Sequence, residues 1–277
     1  MGIRLGVDVG GTKIEIVALD TLGATLVRRR VPTPLNDYNG ILDAIASLVG
    51  GVERELGAGL PLGIGAPGAV SRTTRRIKNA NSTILIGTPF ADDLEAKLER
   101  TIRIDNDANC FVRSEAADGA GKDARVVFGV ILGTGVGGGI AIDRRVVGGA
   151  NAIAGEWGHN PLPWPREDEL PGMSCYCGKF GCMETFLCGS ALAREPVRAR
   201  YEDRLARGLA SVVNILDPDA VILGGGVSNI PDLAPRVAAL LPRYVFSDSV
   251  QTKVLRAIHG DSSGVRGAAM LWAATGP

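Results

Sequence analysis

Histidine is nearly absent from the 277-residue chain, which has two, His159 and His259. Gly260-Asp261-Ser262-Ser263-Gly264 spells the nucleophile elbow of a serine hydrolase. That fold needs a histidine later in the chain than the serine, and none follows Ser262, so the reading is excluded. Excess charge is also lacking. Thirty basic and thirty acidic side chains give a formal net charge of zero, which argues against an electrostatic grip on nucleic acid or on an acidic membrane. The run Arg28-Arg29-Arg30 then reads as a solvated strand end. No apolar run reaches membrane-spanning length, and Met1-Gly2-Ile3-Arg4 enters a strand pattern without the apolar core and cleavage site of a signal peptide. A cytoplasmic enzyme with no nucleic-acid or membrane partner is expected. Five cysteines, an odd number, supply no disulfide framework and point to a reducing compartment.

What is present begins with a core: 45% of residues are hydrophobic, and the length suits one large or two ordinary domains. Three of the cysteines fall within eight positions, in Cys175-Tyr176-Cys177-Gly178-Lys179-Phe180-Gly181-Cys182-Met183-Glu184, with His159 ahead of them. Three thiolates and one imidazole suit zinc, and the glycines let the backbone fold tightly around one ion. The competing reading is a set of buried thiols, which is how Cys110 and Cys188 are read. Four protein ligands leave no position for an activated water, so the ion is expected to be structural. The same loop carries Glu156 and Glu184, which a metal would fix in place.

The 38 glycines fall into a pattern. A strand over Ile3 to Val9 leads into Gly10-Gly11-Thr12-Lys13 and a second strand over Ile14 to Leu19. Later, Val126 to Leu132 leads into Gly133-Thr134-Gly135-Val136-Gly137-Gly138-Gly139 and then Ile140 to Ile142. A duplicated half-chain is the economical explanation. Helices are expected over 41–56 and 92–100, a strand over 62–65, and a third glycine loop, Gly224-Gly225-Gly226, after the buried strand Val221 to Leu223. Two α/β lobes with a cleft between them result.

Glycine turns after strands let backbone N–H groups approach a phosphate; the plain alternative is a hairpin turn. Two equivalent turns, with Thr12 and Thr134 as hydroxyl donors and Lys13 as a cation, favour a nucleotide. Neither common fingerprint accounts for them. The P-loop spacing and its helix are missing, and Gly133-x-Gly135-x-x-Gly138 is followed by a strand where a dinucleotide site needs a helix. Asp105-Asn106-Asp107-Ala108-Asn109-Cys110 falls at a strand-to-helix junction, with a helical run through Ala117. Capping and catalysis both suit such residues. Lys78-Asn79-Ala80-Asn81-Ser82 is similarly open between an amide-rich turn and a loop that reads hydroxyls.

Gly6-Val7-Asp8-Val9-Gly10-Gly11-Thr12-Lys13, Asn106-Asp107-Ala108-Asn109, Gly133 to Gly139, Glu156-Trp157-Gly158-His159 and the cysteine cluster together resemble the ROK family of sugar kinases and sugar-responsive repressors, nearly end to end. Asn79 to Thr83, Gly155 to Trp164, Asn214 to Asp219 and His259 to Ala269 are similar to its bacterial fructokinases of the manno(fructo)kinase type. The resemblance implies an actin-like, ribonuclease H-like fold with an active-site cleft between two lobes. The small lobe would cover 1–118, with a helix over 263–277 packing back on it, and the large lobe 119–262, with the zinc loop. The implied reaction is ATP-dependent phosphorylation of the 6-hydroxyl of fructose, with mannose as a second substrate. A glucokinase or N-acetylglucosamine kinase is the alternative, and a non-catalytic sugar-binding regulator is the alternative of another class.

By the same resemblance, ATP would be held by Gly6, Val7, Asp8, Val9, Gly10, Gly11, Thr12, Lys13, Gly133, Thr134, Gly135, Val136, Gly137, Gly138, Gly139, Ile140, Gly225 and Gly226, with Mg²⁺ near Asp8. Asp107 would take the proton from the sugar's primary hydroxyl as its oxygen attacks the γ-phosphate. An aspartate of ordinary pKa, about 3.9, is ionised at neutral pH and ready to accept it. Asn81, Asn106, Glu156, His159 and Glu184 would read sugar hydroxyls. His159 would join Cys175, Cys177 and Cys182 on zinc and offer its other ring nitrogen to the sugar. A homodimer is the family expectation. One departure stands out: after Gly189 the family usually continues through a further helical segment, whereas here only Ser190 to Asp203 precedes the helix expected over 204–216. The shortening bears on how far the large lobe covers its substrates and on the dimer surface. A repressor of the family would carry a helix-turn-helix ahead of the first strand; this chain starts inside that strand, and DNA binding is not expected.

Overall fold

The computed structural model describes residues 2–80, 82–195 and 197–272. They divide into two compact units, the first made of residues up to Ser114, Gly148–Ile153 and those from Ser262 onward, the second of Glu115–Val147 and Ala154–Asp261.

In the first unit, β1 (Arg4–Val9), β2 (Lys13–Leu19) and β3 (Thr25–Pro32) form an antiparallel meander, followed by α1 (Tyr38–Leu56) and β4 (Leu62–Ala66). A two-stranded ribbon, β5 (Ala69–Val70) and β6 (Ile77–Lys78), precedes α2 (Phe90–Leu98), β7 (Arg103–Asn106) and the start of α3 (Asp107–Ala117). The sheet order is β3-β2-β1-β4-β7, with β1, β4 and β7 parallel. Helix α1 starts at Asp37, whose carboxylate caps the Gly40 N–H at 2.9 Å, and stops at Gly57, whose φ of 105° a side chain would resist. Its stripe of Ile41, Ile45, Val49 and Val52 meets Leu5, Val7, Ile14 and Ile16 of the sheet in one core. The other face lies under a short C-terminal helix, Ser263–Ala269. A Cβ on Gly6 or Gly63 would sit 2.2 Å from the Val265 carbonyl or 1.9 Å from that of Ala268, so these glycines set how closely helix and sheet approach. The α-helix ends well before 277, and positions 273–277 of the expected 263–277 helix lie outside the described residues.

The arginine run keeps the solvent exposure expected of it, and it is also paired. Arg28 to Arg30 sit within β3, where Arg28 and Arg30 bind the carboxylate of Glu15, which is 1% exposed, and Arg29 pairs with Glu55. Glu15 lies directly across β2 and β3 from Arg30, a neighbour no local pattern reveals.

The second unit repeats the plan. Strands β8 (Val126–Leu132), β9 (Val136–Ile142) and β10 (Arg145–Val146) form the antiparallel part. After the cysteine-loop region come α4 (Met183–Leu187), α5 (Gly189–Arg194), α6 (Arg198–Leu216), β11 (Ala220–Gly224), α7 (Leu233–Leu240) and β12 (Lys253–Arg256). The order β10-β9-β8-β11-β12, with β8, β11 and β12 parallel, matches the first sheet strand for strand, in keeping with duplication. Two expectations change here. Gly137, Gly138 and Gly139 are not loop but ladder, paired with Ile131, Val130 and Gly129. Helix α6 starts at Arg198 rather than 204, because Tyr201 is fully buried and its hydroxyl donates to the Leu187 carbonyl at 2.8 Å, drawing the preceding turns into the helix. Among the described residues no helix is long and apolar enough to cross a membrane.

An ionic cluster fastens the segment ahead of the cysteines to α6. Glu169 is 3% exposed and accepts from Arg204 Nε at 2.8 Å, Arg207 Nη1 and Nη2 at 2.9 and 2.8 Å, and the Arg166 N–H at 2.9 Å. Burial alone would raise its carboxyl; the hydrogen bonds from Arg207, Arg166 and Arg204 outweigh it and hold the group down at about 2. A depressed carboxyl stabilises the fold fully above its unfolded value near 4.5 and ceases to do so as the pH falls toward 2. Glu169→Gln, which leaves two buried guanidinium groups undercompensated, is therefore expected to cost about 3–5 kcal/mol at pH 7 in urea unfolding. The difference from the wild type should shrink as the pH falls below about 4.

Candidate functional site

In the first unit, β1, β4 and β7 place Asp8, Gly65 and Asp105 side by side at their carboxyl ends, with Ala66 beside Asn106 one step further. Carboxyl ends of parallel strands are where open α/β sheets bind ligands. Beyond Asp8 the chain turns through Gly10 to Lys13: the Gly10 N–H donates to the Lys13 carbonyl at 2.9 Å, and Thr33 holds the turn from outside through Thr12 O at 3.1 Å and Gly10 O at 2.7 Å. Gly11 and Thr12 form its exposed tip. Gly6, Val7 and Val9 of the expected nucleotide set are instead buried in the sheet, Val7 and Val9 in the core and Gly6 under the C-terminal helix. Alternation along β1 sends every second side chain inward, so the motif's polar partner is Asp8.

Asp107 heads α3. It shares the capping with its neighbour: the Ala108 N–H donates to Asp107 Oδ1 at 2.8 Å and to Asn106 Oδ1 at 2.9 Å, while the Asn106 amide donates to Gly68 O at 2.9 Å. Asp105 takes the Asn109 side chain at 2.7 Å. Capping thus accounts for Asn106 and in part for Asp107, while Asp105 holds the junction through Asn109. Gly68 in turn packs on Lys78 and Ala80. Asn81 lies outside the described residues. Asp8 keeps some exposure, yet burial first, then the charges of Asp107 and Glu15, push its carboxyl up to about 7 against the pull of Lys13. Glu15 is already paired with Arg28 and Arg30, whereas the mutual repulsion of Asp8 and Asp107 favours an added cation. A hard carboxylate oxygen in that setting fits Mg²⁺.

In the second unit, His159 closes a short 3-10 turn, Trp157–His159, that Glu156 opens. The cysteines follow on a tight hairpin: the Cys175 N–H donates to Lys179 O at 2.8 Å and the Gly178 N–H to Cys175 O at 3.0 Å, with Gly178 and Gly181 at φ of 85° and 69°. Cys182 then starts α4. One ligand atom from each of His159, Cys175, Cys177 and Cys182 lies within 4.8 Å of the others, a donor set and a spacing that fit one zinc ion. His159 turns Nδ1 toward Cys175 Sγ, at 3.5 Å. Its Nε2, which the sequence reading offered to a sugar, meets the Tyr176 hydroxyl at 3.0 Å, with the two rings edge to face. Tyr176 was not among the expected residues. Burial, then the carboxylates of Glu184 and Glu156, raise its hydroxyl pKa, so it joins His159, Glu156 and Glu184 in one polar group as a proton donor. No pattern marks the middle residue of Cys-x-Cys; the hairpin orients it.

The glycine turn Gly133–Gly135 links β8 to β9, with the Gly133 N–H closing on Gly135 O at 3.0 Å. Gly225, at φ 79°, runs against it: a Cβ there would lie 2.3 Å from Leu132 O. Glu184, from α4, accepts from the Val136 N–H at 2.9 Å. His259, the other histidine, pairs with Asp118 at 2.8 Å.

Comparison with known proteins agrees with this fold. The model of the ROK family matches residues 4–199 and 193–275, two stretches that meet where the chain is shortened. An N-acetyl-D-glucosamine kinase of Escherichia coli O6:H1 is 38% identical over 296 residues, covering 96% of this chain and 98% of the relative. A ROK family glucokinase from Streptomyces griseus, solved with glucose and AMPPNP, superposes with a TM-score of 0.82 at 30% identity, covering 98% of this chain and 99% of that one. A ROK hexokinase from Thermus thermophilus gives 0.81 at 30% identity, with 97% of each chain covered. These names do not single out fructokinase, which narrows the sequence reading to the family. The duplicated sheets are those of an actin-like ATPase fold, and the chain belongs to the ROK family.

Proposed function

We propose that the protein is an ATP-dependent hexose kinase that phosphorylates the primary 6-hydroxyl of its sugar. The observation that carries this reading is Asp107, at the head of α3 and within electrostatic reach of Asp8, at the carboxyl ends of three parallel strands. Asp107 accepts the hydroxyl proton, the freed oxygen attacks the γ-phosphorus in line, and ADP leaves with the bridging electron pair. Backbone amides of the Gly10–Lys13 and Gly133–Gly135 turns and the Lys13 ammonium hold the phosphates. Mg²⁺, when bound near Asp8, supplies charge neutralisation on the phosphoryl oxygens. Asn81, Asn106, Glu156, Glu184 and His159, the last through or in place of Tyr176, read the sugar's other hydroxyls. Such polar readers reject a sugar that lacks a hydroxyl, because a buried partner is then left unpaired.

The names of the relatives favour N-acetylglucosamine or glucose as the preferred sugar. Fructose, with mannose, is the second reading, favoured by the phrases Gly155 to Trp164 and His259 to Ala269. An ADP-release assay with these four sugars tests both: turnover on at least one hexose is expected, and its absence on all of them would favour a sugar-binding regulator.

A further inference from the structure

Three hydrogen bonds in the second unit tie the segments assigned above to the sugar, and the chain just after them, to the Gly133–Gly135 turn and the start of β9 that follows it. The Val136 N–H donates to Glu184 Oε2 at 2.9 Å, the Trp157 indole N–H to the Gly137 carbonyl at 2.9 Å, and the Gly189 N–H to the Gly133 carbonyl at 2.7 Å. Between these bonds the backbones touch. A Cβ on Gly155 would lie 2.4 Å from Gly138 O, and one on Gly158 2.2 Å from Val136 O. Trp157, 3% exposed, stands in the middle of the sugar-reading motif Glu156 to His159. Its ring is held edge-on to Phe128 of β8 at 5.7 Å and fits a space that Gly208 of α6 leaves open. A seam packed this closely has no slack: displacement of one side by a fraction of an ångström must be followed by the other.

We propose that the seam makes hexose and nucleotide bind synergistically, with Glu184 shared between the two ligands and Trp157 as the positioning residue. The inference rests on the hexose-kinase reading above. One Glu184 oxygen is engaged by the Val136 amide, so a sugar hydroxyl that takes the other fixes the carboxylate and, through it, the turn. Phosphates drawn into the turn fix Glu184 in the same way. Trp157 carries the second link, since Gly137 follows Val136 in β9 while Glu156 and His159 flank the indole. Linkage requires the two effects to be equal.

Isothermal titration of the wild-type protein with its hexose, with and without saturating adenylyl imidodiphosphate and Mg²⁺, is expected to show about 5- to 50-fold tighter hexose binding in the ternary case. The hexose should tighten analogue binding by the same factor. Trp157→Phe keeps a ring in the pocket but removes the bond to Gly137; it is expected to bring the factor below about 3-fold, a change that a loss of stability alone does not produce. A second measurement needs no variant: hexose by itself should slow amide hydrogen exchange in the peptide that covers 133–139. A wild-type factor near one with both ligands bound, or unchanged exchange in that peptide, overturns the coupling. An undiminished factor in folded Trp157→Phe overturns the part given to the tryptophan. Failure of every hexose to bind is a different result, and it removes the kinase reading rather than the seam.

Discussion

Asp107→Asn is expected to lower kcat by about 10²- to 10⁴-fold while leaving hexose binding within a few-fold of the wild type. The asparagine keeps the size and the hydrogen-bonding reach of the aspartate but has no lone pair basic enough to hold a proton. The reaction then depends on positioning and phosphate electrostatics, which supply much of the acceleration in phosphoryl transfer. The helix should survive, because Asn106 Oδ1 also takes the Ala108 N–H, and an asparagine at 107 keeps a side-chain oxygen for the same amide. Steady-state kinetics beside thermal melting separates the two effects. A variant with undiminished kcat would end the general-base assignment; a variant that no longer folds would show that Asp107 is needed at the head of α3, and Asp107→Glu would then carry the kinetic test.

Loss of zinc is expected to have the second large effect. In the metal-free arrangement burial raises the Cys175 thiol, and burial and the neighbouring thiols push Cys182 up to about 12, so these two sulfurs hold their protons and the cluster has little to bind it together. An ion that takes the thiolates and the imidazole replaces mutual crowding with four bonds and releases the protons. The Cys175–Cys182 hairpin has few other anchors: Cys177, Tyr176 and Phe180 are exposed, and its backbone is held by short turns. Chelation, or Cys182→Ser, should therefore lower Tm by roughly 10 °C, the shift that about 3–4 kcal/mol produces in a chain of this size. The sugar KM should rise several-fold, because His159, Tyr176 and Glu184 hang on the same hairpin and helix start. Metal content by atomic emission, melting and KM measured on one preparation decide it. Zinc that leaves with KM unchanged would mean that the metal braces the fold without bracing the sugar readers.

Glu169 belongs to the same question from the other side. It fastens the chain at 166–170 to α6 just before the hairpin begins, so the His159–cysteine cluster and the ionic cluster hold the two ends of one segment. Nothing in the spacing of Glu169, Arg204 and Arg207 announces that partnership; they are far apart in sequence and meet because α6 crosses the segment. Glu15 and its arginines were hidden for the same reason, since strand register decides which residues face each other. Tyr176 and Trp157 are a third case: one reads as a spacer between cysteines, the other as a core aromatic, and both acquire a part through the atoms their polar tips reach.

What the sequence determined by itself is local or nearly so. Hydrophobic alternation and glycine placement revealed both hairpins, the duplication and the strands over 62–65 and 221–223, because strand and turn preferences act over a few residues. The ligand set His159, Cys175, Cys177 and Cys182 was legible from donor chemistry alone. Tertiary structure alone decided which glycines are ladder and which are turn, where α6 starts, that Asn106 and Asp107 share the cap of α3, and that Glu184 and Trp157 bond to Val136 and Gly137 just after the Gly133–Gly135 turn. Those choices depend on packing and on long-range hydrogen bonds, whose partners are set by how the strands and helices come together and not by the residues beside them in the chain.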